Sequence, residues 1–303
     1  MLDETRRRLL EKQHYQLVGA HSAVKPCTWL KKALRGEGFC YKQKFYGIES
    51  HRCMQMTPAV AWCTHSCVFC WRNTDMSSSG DDMIWEEPEE IVSQSIEAHR
   101  QAISGFGGNT VVDPKKLNEA LNPNQVAVSL AGEPTLYPYL SGLIGEYKKR
   151  GMTVYVVTNG TRPAAIKSLD VLPTNFYVSV VAPDELTYKR VCAPQISDGW
   201  ERIQKTIELF PSLDTTTVVR VTAVKGLNIR DPKGYAKLIS AAEPDFVEVK
   251  AFMYVGGSRL RLTMDNMPTH DEVRAFAREI AKELSYKVKD EKTESRVVLL
   301  SKN

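Results

Sequence analysis

Three cysteines lie close together in the stretch Cys63-Thr-His-Ser-Cys67-Val-Phe-Cys70, at spacings of four and three residues. Three thiolates on one short loop can bind three irons of a 4Fe–4S cube, and the fourth iron then has no ligand from the protein. An open iron can bind a substrate or a cofactor. A zinc site or part of a disulfide framework is the alternative, but zinc usually takes four ligands from paired hooks, and no second hook is present. The spacing therefore favours an iron–sulfur cluster with an open iron.

Three more cysteines, Cys27, Cys40 and Cys53, precede this loop, and both intervals between them are 13 residues. The intervals are too wide for one local loop, so the intervening pieces must fold back if the thiols are to meet. In that case they would bind a second 4Fe–4S cluster, again with an open iron. Buried cysteines without ligands are common in protein cores, but a polar and basic segment is an unusual place for three of them. We therefore expect a second cluster here.

The first loop resembles the signature of radical SAM enzymes, a C-x3-C-x2-C run with an aromatic residue before the last cysteine. Over nearly its entire length, the chain is similar to the 4-demethylwyosine synthase family of archaeal wyosine-tRNA biosynthesis. The most specific features are the three spaced upstream cysteines, Cys-Tyr-Lys-Gln-Lys-Phe-Tyr-Gly-Ile at 40–48, and Cys-Met-Gln-Met-Thr-Pro at 53–58. The resemblance implies that S-adenosylmethionine (SAM) binds to the open iron of the first cluster.

The composition of the chain is ordinary for a globular protein, with 303 residues, 43% hydrophobic and 25% charged. No apolar run approaches the roughly 20 residues that span a bilayer, and the N-terminus lacks the apolar segment of a signal peptide. An odd number of cysteines, seven, argues against a disulfide scaffold. We therefore expect a cytoplasmic protein with reduced thiols and no membrane partner.

Positive charge is concentrated near the N-terminus. Residues 1–56 contain 11 Lys+Arg and 5 Asp+Glu, a net charge of +6, whereas the other residues contain 29 and 31, a net charge of −2. A basic segment beside a near-neutral body suggests a polyanionic partner such as nucleic acid, although a solvated basic surface would have the same composition.

Apolar, β-branched strands alternate with helices along most of the chain. This alternation predicts a parallel sheet whose chemistry lies at the C-terminal ends of its strands. A short strand beginning near Ala59 is predicted before the cysteine loop. Five more are predicted at Val126–Leu130, Thr153–Val157, Phe176–Val181, Thr217–Val224 and Phe246–Ala251. Six strands are too few for a closed eight-stranded barrel.

We therefore predict an α/β fold, a partial (β/α)6 radical SAM barrel over residues 57–255. The cysteine-bearing basic extension occupies 1–56, and a helix followed by two strands forms a small C-terminal region at 256–303.

Polar or glycine-containing turns follow the predicted strands. Ala131-Gly-Glu-Pro134 looks like the glycine-rich SAM-binding motif of the family, with alanine in place of its first glycine. Gly132 would let the backbone approach the methionine part of SAM, and Glu133 would pair with its ammonium group. The resemblance places the next strand end near the methionine or the ribose, although Asn-Gly turns and strand threonines are common without any ligand. The predicted cofactor-binding residues are Gly132, Glu133, Thr158, Asn159, Ser179 and Thr222.

Glu248 and Lys250 alternate with apolar residues in the last strand of the predicted barrel. Charged residues that face a barrel interior are costly unless they are functional, and a desolvated lysine can form an imine with a carbonyl compound. The alternative is the solvated face of an edge strand. In the resembled family, a lysine in a Glu-x-Lys context is proposed to hold pyruvate, so Lys250 is the predicted catalytic lysine. Lys42 and Lys44, next to Cys40, are its rivals.

The resemblance also implies a reaction. A radical derived from SAM would take a hydrogen atom from the N1-methyl group of 1-methylguanosine at position 37 of tRNA-Phe. The methyl carbon would then join to pyruvate, which loses its carboxyl carbon, and ring closure would give 4-demethylwyosine. Pyruvate would be held by Lys250, by Lys42 or by the second cluster. The chain has no flavodoxin-like domain of its own, so we expect a separate electron donor of flavodoxin or ferredoxin type. We expect a monomer whose basic extension binds the tRNA backbone.

Two other functional classes explain part of the sequence. A radical SAM enzyme with a different substrate would keep the cysteine loop and make the basic extension incidental. A non-catalytic iron–sulfur or zinc-bearing protein that binds RNA would explain the cysteines and the charge. It would not explain the glycine and asparagine turns at consecutive strand ends.

Overall fold

A computed structural model describes residues 2–72, 74 and 83–302 of the chain. They form two compact units. The first unit comprises Met1–Cys63, Ser78–Val157 and Leu169–Thr174, and the second comprises Thr64–Ser77, Thr158–Ser168 and Asn175–Asn303. These units are defined by compactness alone. The functional division at residues 56 and 255 stays a prediction.

The first unit combines helices with five strands in its described part. Its helices are α1 (Glu4–Lys12), α2 (Thr28–Leu34), α3 (Tyr41–Tyr46), α4 (Pro88–Ser104), α5 (Pro114–Ala120) and α6 (Leu140–Lys149). Its strands are β1 (Gln16–Val18), β2 (Ser22–Val24), β3 (Cys53–Thr57), β4 (Gln125–Val128) and β5 (Thr153–Thr158). β1, β2 and β3 are antiparallel neighbours, whereas β3, β4 and β5 run parallel. The sheet is therefore mixed.

The second unit continues the alternation of helix and strand. Its helices are α7 (Pro163–Lys167), α8 (Glu185–Cys192), α9 (Gly199–Leu209), α10 (Pro232–Ala242) and α11 (His270–Leu284). Its strands are β6 (Asn175–Ser179), β7 (Thr216–Ala223), β8 (Phe246–Ala251), β9 (Lys287–Lys292) and β10 (Val297–Ser301). β6, β7 and β8 are parallel, and β10 lies antiparallel between β8 and β9.

The strands predicted from β4 to β8 are all present, and their ends differ from the predicted ones by two residues at most. The strand expected near Ala59 was placed too late, because β3 begins at Cys53 and ends at Thr57. The error arose because the buried run from Ala59 to Trp62 is apolar like a strand but forms, in the described structure, only a single β-bridge, at Trp62. The α/β class is confirmed.

The predicted C-terminal hairpin is present, but its second strand has an additional role. All five residues of β10 are buried, and β10 pairs with β8 over residues Phe246 to Lys250. β8 is therefore not an edge strand. In the described part of the chain, no helix combines the length and the apolar composition needed to cross a bilayer.

Candidate active site

Gly132 and Glu133, the predicted SAM-binding pair, lie against the segment that leads into the cysteine loop. Gly132 has a φ of +69°, and a Cβ atom added to it would lie 1.8 Å from the carbonyl oxygen of Ala59. The backbone N–H of Glu133 donates to the carbonyl oxygen of Trp62 at 2.8 Å. The buried carboxylate of Glu133 accepts from the backbone N–H and the hydroxyl of Thr135 at 3.0 and 2.6 Å. The turn therefore supports the entrance to the loop, and its contact with SAM stays a prediction.

Replacing Gly132 with alanine is expected to destabilise the protein by about 2–5 kcal/mol. The left-handed backbone contributes about 1–2 kcal/mol, and overlap with the Ala59 carbonyl contributes about 1–3 kcal/mol. Gly151 provides a matched control, because its φ is +73° and nothing lies within 4 Å of an added Cβ. Gly151→Ala should therefore cost only about 1–2 kcal/mol. Urea unfolding measures both values, and equal losses would contradict the close approach at Gly132.

The Thr158-Asn159 turn holds the start of the cysteine loop within the second unit. The Asn159 side-chain N–H donates to the hydroxyl of Thr64 at 2.9 Å, and its oxygen accepts from the backbone N–H of Thr161 at 3.0 Å. The hydroxyls of Thr64 and Thr161 are 2.7 Å apart. The buried Thr158 hydroxyl accepts from the backbone N–H of Gly160 at 3.0 Å. In this structure, Asn159 positions the loop; contact of either residue with SAM stays a prediction.

The end of α8 supports the middle of the cysteine loop. The backbone N–H of Ser66 donates to the carbonyl oxygen of Cys192 at 3.1 Å, and that of Val68 donates to the carbonyl oxygen of Val191 at 3.0 Å. These bonds lie on either side of Cys67, so they fix its backbone against the last turn of α8.

The side chains of His65 and Cys67 continue this contact with α8. A ring nitrogen of His65 lies 2.8 Å from the hydroxyl of Tyr188. Burial lowers the pKa of His65 to about 3, so this ring is neutral at neutral pH. The neighbouring thiol of Cys192, followed by burial, raises the pKa of Cys67, whereas the positive charge of Arg72 opposes the shift.

The chemistry of the loop thiols fits an iron–sulfur cluster. None of the seven cysteines, all of which lie in the described part of the chain, forms a disulfide. Cys63, Cys67 and Cys70 are each partly exposed as residues, although the Cys67 thiol itself is desolvated. The thiolate form that burial disfavours at Cys67 is stabilised when a cation binds, because metal binding displaces the proton. The residues present therefore suit a cluster bound by three cysteines.

Arg261 clamps the same loop from the C-terminal part of the chain. Its guanidinium donates to the carbonyl oxygens of Val68 and Arg72, both at 3.2 Å, and to the carbonyl oxygen of Cys70. It also donates to the hydroxyl of Thr74 at 3.1 Å. No local sequence pattern marks this contact, because nearly 200 positions separate Arg261 from the loop.

Replacing Arg261 with methionine is expected to lower the free energy of unfolding by about 2 kcal/mol, because the part-buried carbonyls lose charge-assisted donors. The loop should also release iron to a chelator faster. Arg259 is exposed, and its guanidinium makes a 3.3 Å bond to the carbonyl oxygen of Tyr254. Arg259→Met should therefore change the stability by no more than about 0.5 kcal/mol. Equal iron release from the two variants would contradict the clamp.

One face of the sheet in the second unit carries three predicted residues. Ser179 pairs in register with Arg220, which pairs with Glu248, and Thr222 pairs with Lys250. Register partners in parallel strands share a face, so these side chains form one polar patch. Ser179, Thr222 and Lys250 are partly exposed. Whether they contact SAM or substrate stays a prediction.

The centre of this patch is a buried ion pair. Arg220 donates to the fully buried carboxylate of Glu248 at 2.8 Å, and the hydroxyl of Tyr177 donates to the same carboxylate at 3.1 Å. These donors offset the cost of burying the Glu248 charge. Glu248 stands out in the sequence, but Arg220 is not among the predicted site residues. Its signal was present, since Arg220 interrupts an otherwise apolar run in β7.

The upstream cysteines each stand where a structural element begins. Cys27 caps α2, with its sulfur accepting from the backbone N–H of Leu30 at 3.3 Å, Cys40 precedes α3, and Cys53 opens β3. The backbone N–H of Cys40 donates to the hydroxyl of Ser50 at 2.8 Å, and Ser50 lies three positions before Cys53 in the chain. Helix α2 therefore lies in the interval between Cys27 and Cys40, and helix α3 lies in the interval between Cys40 and Cys53.

The three upstream thiols interact electrostatically with one another and with Lys42. Burial raises the pKa of Cys53, the thiols of Cys27 and Cys40 raise it further, and the ammonium of Lys42 opposes them. Burial likewise raises the pKa of Cys27, and Lys42 again lowers it. Lys42 is only 7% exposed, and its Nζ lies 4.3 Å from the centre of the Tyr155 ring. The Cys53 thiol is therefore coupled electrostatically to Cys27, Cys40 and the buried Lys42.

Comparison with known protein families identifies the class of this protein. Residues 58–239 match the family described as the Radical SAM superfamily, and residues 241–302 match the family described as Wyosine base formation. The chain is therefore a radical SAM enzyme, a class that uses SAM and a 4Fe–4S cluster.

Named relatives of the chain identify its family within this class. The S-adenosyl-L-methionine-dependent tRNA 4-demethylwyosine synthase of Pyrococcus abyssi is 53% identical over 97% of this chain and 88% of its own length. That of Methanocaldococcus jannaschii is 40% identical over 99% and 96%. A solved structure described as TYW1 with a lysine-pyruvate adduct bound has 40% identity and a TM-score of 0.91, covering 99% of this chain and 96% of that chain. The chain belongs to the tRNA 4-demethylwyosine synthase family, which confirms the resemblance and the radical SAM fold inferred from the sequence.

Proposed function

We propose that this enzyme condenses pyruvate with 1-methylguanosine at position 37 of tRNA-Phe to give 4-demethylwyosine. The observation that carries the proposal is the buried Lys42, whose charge interacts with the thiols of Cys27 and Cys53 and whose Nζ lies over the Tyr155 ring. A lysine–pyruvate adduct is named in the description of a solved relative that is 40% identical to this chain. An amine that can hold pyruvate is therefore the feature to look for in this chain.

Among the three candidate lysines, Lys42 has the most suitable surroundings. A lysine attacks a carbonyl as the neutral amine, and removal from water favours that form in general. Lys42 is buried, whereas Lys44 is exposed and Lys250 is partly exposed on the polar patch of β6 to β8. The sequence favours Lys250 because it stands in a Glu-x-Lys context, where the resembled family is proposed to hold pyruvate, and because its neighbour in the strand is charged. That neighbour, Glu248, already has Arg220 as its ion-pair partner, so its burial needs no catalytic lysine. We infer that Lys42 forms the imine.

Cys27, Cys40 and Cys53 are proposed to bind a second 4Fe–4S cluster. Support comes from the electrostatic interaction of Cys53 with Cys27 and Cys40 and from the desolvation of the Cys27 and Cys53 thiols, which a bound cation would offset. With three protein ligands, one iron is left open beside Lys42. An open iron can coordinate a carboxylate or keto oxygen, so it would orient pyruvate for attack by the amine.

The chain's own residues then have the following roles. When bound, the loop cluster and SAM supply a 5′-deoxyadenosyl radical that removes a hydrogen atom from the methyl group of the target base. Lys42 adds to the keto carbon of pyruvate; a C=N bond forms and water leaves. Gly132, Glu133 and Asn159 hold the cysteine loop and its approach in place. The methyl-derived radical adds to the imine carbon, and the bond from that carbon to the carboxylate then breaks. The carboxyl carbon leaves as the radical anion of CO2, which carries away the unpaired electron and restores the C=N bond. Attack of the exocyclic amine of the base on this carbon closes the ring and displaces the lysine amine.

The remaining partners are also part of the proposal. The basic segment 1–56, with a net charge of +6, would neutralise tRNA phosphates, and the target base would be splayed out of its stack to reach the pocket. Electrons would come from a separate donor of flavodoxin or ferredoxin type. The enzyme would act as a monomer in the cytoplasm.

The test supplies the reduced, iron-loaded protein with SAM, pyruvate and tRNA-Phe that carries either 1-methylguanosine or guanosine at position 37. We expect 4-demethylwyosine only from the methylated tRNA, detected by mass spectrometry of its nucleosides. Cys67→Ala should form neither this base nor 5′-deoxyadenosine. SAM cleavage without a new base on any tRNA would indicate a different substrate. Absence of SAM cleavage from wild-type protein would favour the non-catalytic alternative.

A further inference from the structure

Cys192 is the one cysteine to which the reaction gives no role. It ends α8 and is 1% exposed. Its sulfur, the sulfur of Cys67 and a ring nitrogen of His65 all lie within 4.8 Å of one another. No regular spacing connects Cys192 with the loop, since 125 positions separate it from Cys67. The fold alone brings the two thiols together.

The backbone fixes this approach. Ser66 donates to the carbonyl oxygens of Cys192 and Ala193, both at 3.1 Å, and Val68 donates to Val191 at 3.0 Å. Ala193 has a φ of +42°, a left-handed conformation that turns the chain back toward the loop. Because backbone hydrogen bonds flank both cysteines, the distance between their backbones is set by the fold and does not depend on side-chain motion.

The direction of a hydrogen bond between the Cys67 and Cys192 thiols follows from the chemistry of the loop. A cysteine that binds iron is a thiolate, so Cys67 has no proton and can only accept. Cys192 is not a ligand of the loop cluster, so it keeps its S–H, which is a weak donor. A hydrogen bond to a ligand sulfur stabilises the added negative charge of a reduced cluster, and such bonds are one way in which proteins adjust cluster potentials.

We propose that the Cys192 thiol donates a hydrogen bond to the iron-bound sulfur of Cys67 and thereby raises the reduction potential of the SAM-binding cluster. Cys192 acts through Cys67, so it is a positioning residue. Its effect is to make the cluster easier to reduce by the electron donor. The inference depends on the loop cluster alone and is independent of the choice of lysine or of the second cluster.

The experiment is a redox titration of the full-length, iron-loaded protein, followed by electron paramagnetic resonance. The signal that changes when SAM is added identifies the loop cluster, even if a second cluster is present. Cys192→Ala and Cys192→Val remove the donor, and valine also fills the space. In both, we expect the ratio of reduced to oxidised cluster at a fixed potential to fall about threefold, a shift of ~28 mV at 59 mV per tenfold change. Cys192→Ser keeps a donor and should shift less.

Val191→Ala is the matched control, because Val191 is buried in the same turn and its backbone bond to Val68 does not depend on its side chain. It should leave the potential unchanged at wild-type iron content. Unchanged potentials in Cys192→Ala and Cys192→Val would overturn the proposal. An equal shift in Val191→Ala, or a serine shift as large as the alanine shift, would also overturn it, because side-chain volume would then be the cause.

Discussion

Borohydride reduction of the protein in the presence of labelled pyruvate is expected to attach the label to Lys42. Reduction converts an imine into a stable amine, so the label marks the lysine that held pyruvate. Lys42→Arg keeps the positive charge beside Cys27 and Cys53 but has no amine that can form an imine. We expect its labelling to fall on the order of 100-fold, because only adventitious imines remain. Peptide mass spectrometry locates the label.

Two lysines serve as controls for this result. Lys44→Met removes an exposed lysine of the same helix, α3, and Lys250→Met removes the lysine that the sequence favoured. Both variants should be labelled like wild type. Lys42→Arg should still cleave SAM to 5′-deoxyadenosine, because the cysteine loop is intact, but should form no 4-demethylwyosine. Loss of the label in Lys250→Met, with labelling kept in Lys42→Arg, would return the imine to Lys250.

The anaerobically reconstituted protein is expected to contain about eight irons per chain, and the variant Cys27→Ala/Cys40→Ala/Cys53→Ala about four. The physical reason is that three cysteines hold each cube, so removal of one set should remove one cube. Iron and sulfide analysis with Mössbauer spectra measures both the number and the type of clusters. The triple variant should still cleave SAM at the loop cluster.

The complementary variant, Cys63→Ala/Cys67→Ala/Cys70→Ala, should also keep about four irons but lose SAM cleavage altogether. Cys192→Ala should keep about eight, because Cys192 is a ligand of neither cluster. If wild type and the upstream triple variant both contain four irons, the second cluster does not exist, and Lys42 must then hold pyruvate without an adjacent iron.

Local patterns predicted a large part of this molecule. The loop ligands follow from spacing, and the strands from β4 to β8 follow from β-branched apolar runs, because short-range periodicity determines both. Helices α2 and α3 occupy the two 13-residue intervals between Cys27, Cys40 and Cys53. A shared cluster at these three thiols stays a prediction.

Long-range contacts could not be predicted in this way. Arg261 binds carbonyl oxygens of a loop nearly 200 positions away, and Cys192 meets Cys67 through the end of α8. The pairing of β10 with β8 likewise depends on how the C-terminal region packs. The choice between Lys42 and Lys250 has the same origin, because a lysine's burial depends on tertiary packing, which neighbouring residues in the chain do not specify.

The pairing of β10 also protects the protein against aggregation. All five residues of β10 are buried, and a buried, apolar strand with an open backbone edge is a template for other chains. β9 covers that edge with the sequence Lys-Val-Lys-Asp-Glu-Lys, whose first three side chains are exposed. Charged side chains, lysines above all, on an exposed edge strand discourage strand addition by other molecules. The charged strand β9 therefore lets the apolar strand β10 complete the sheet without inviting intermolecular strand addition.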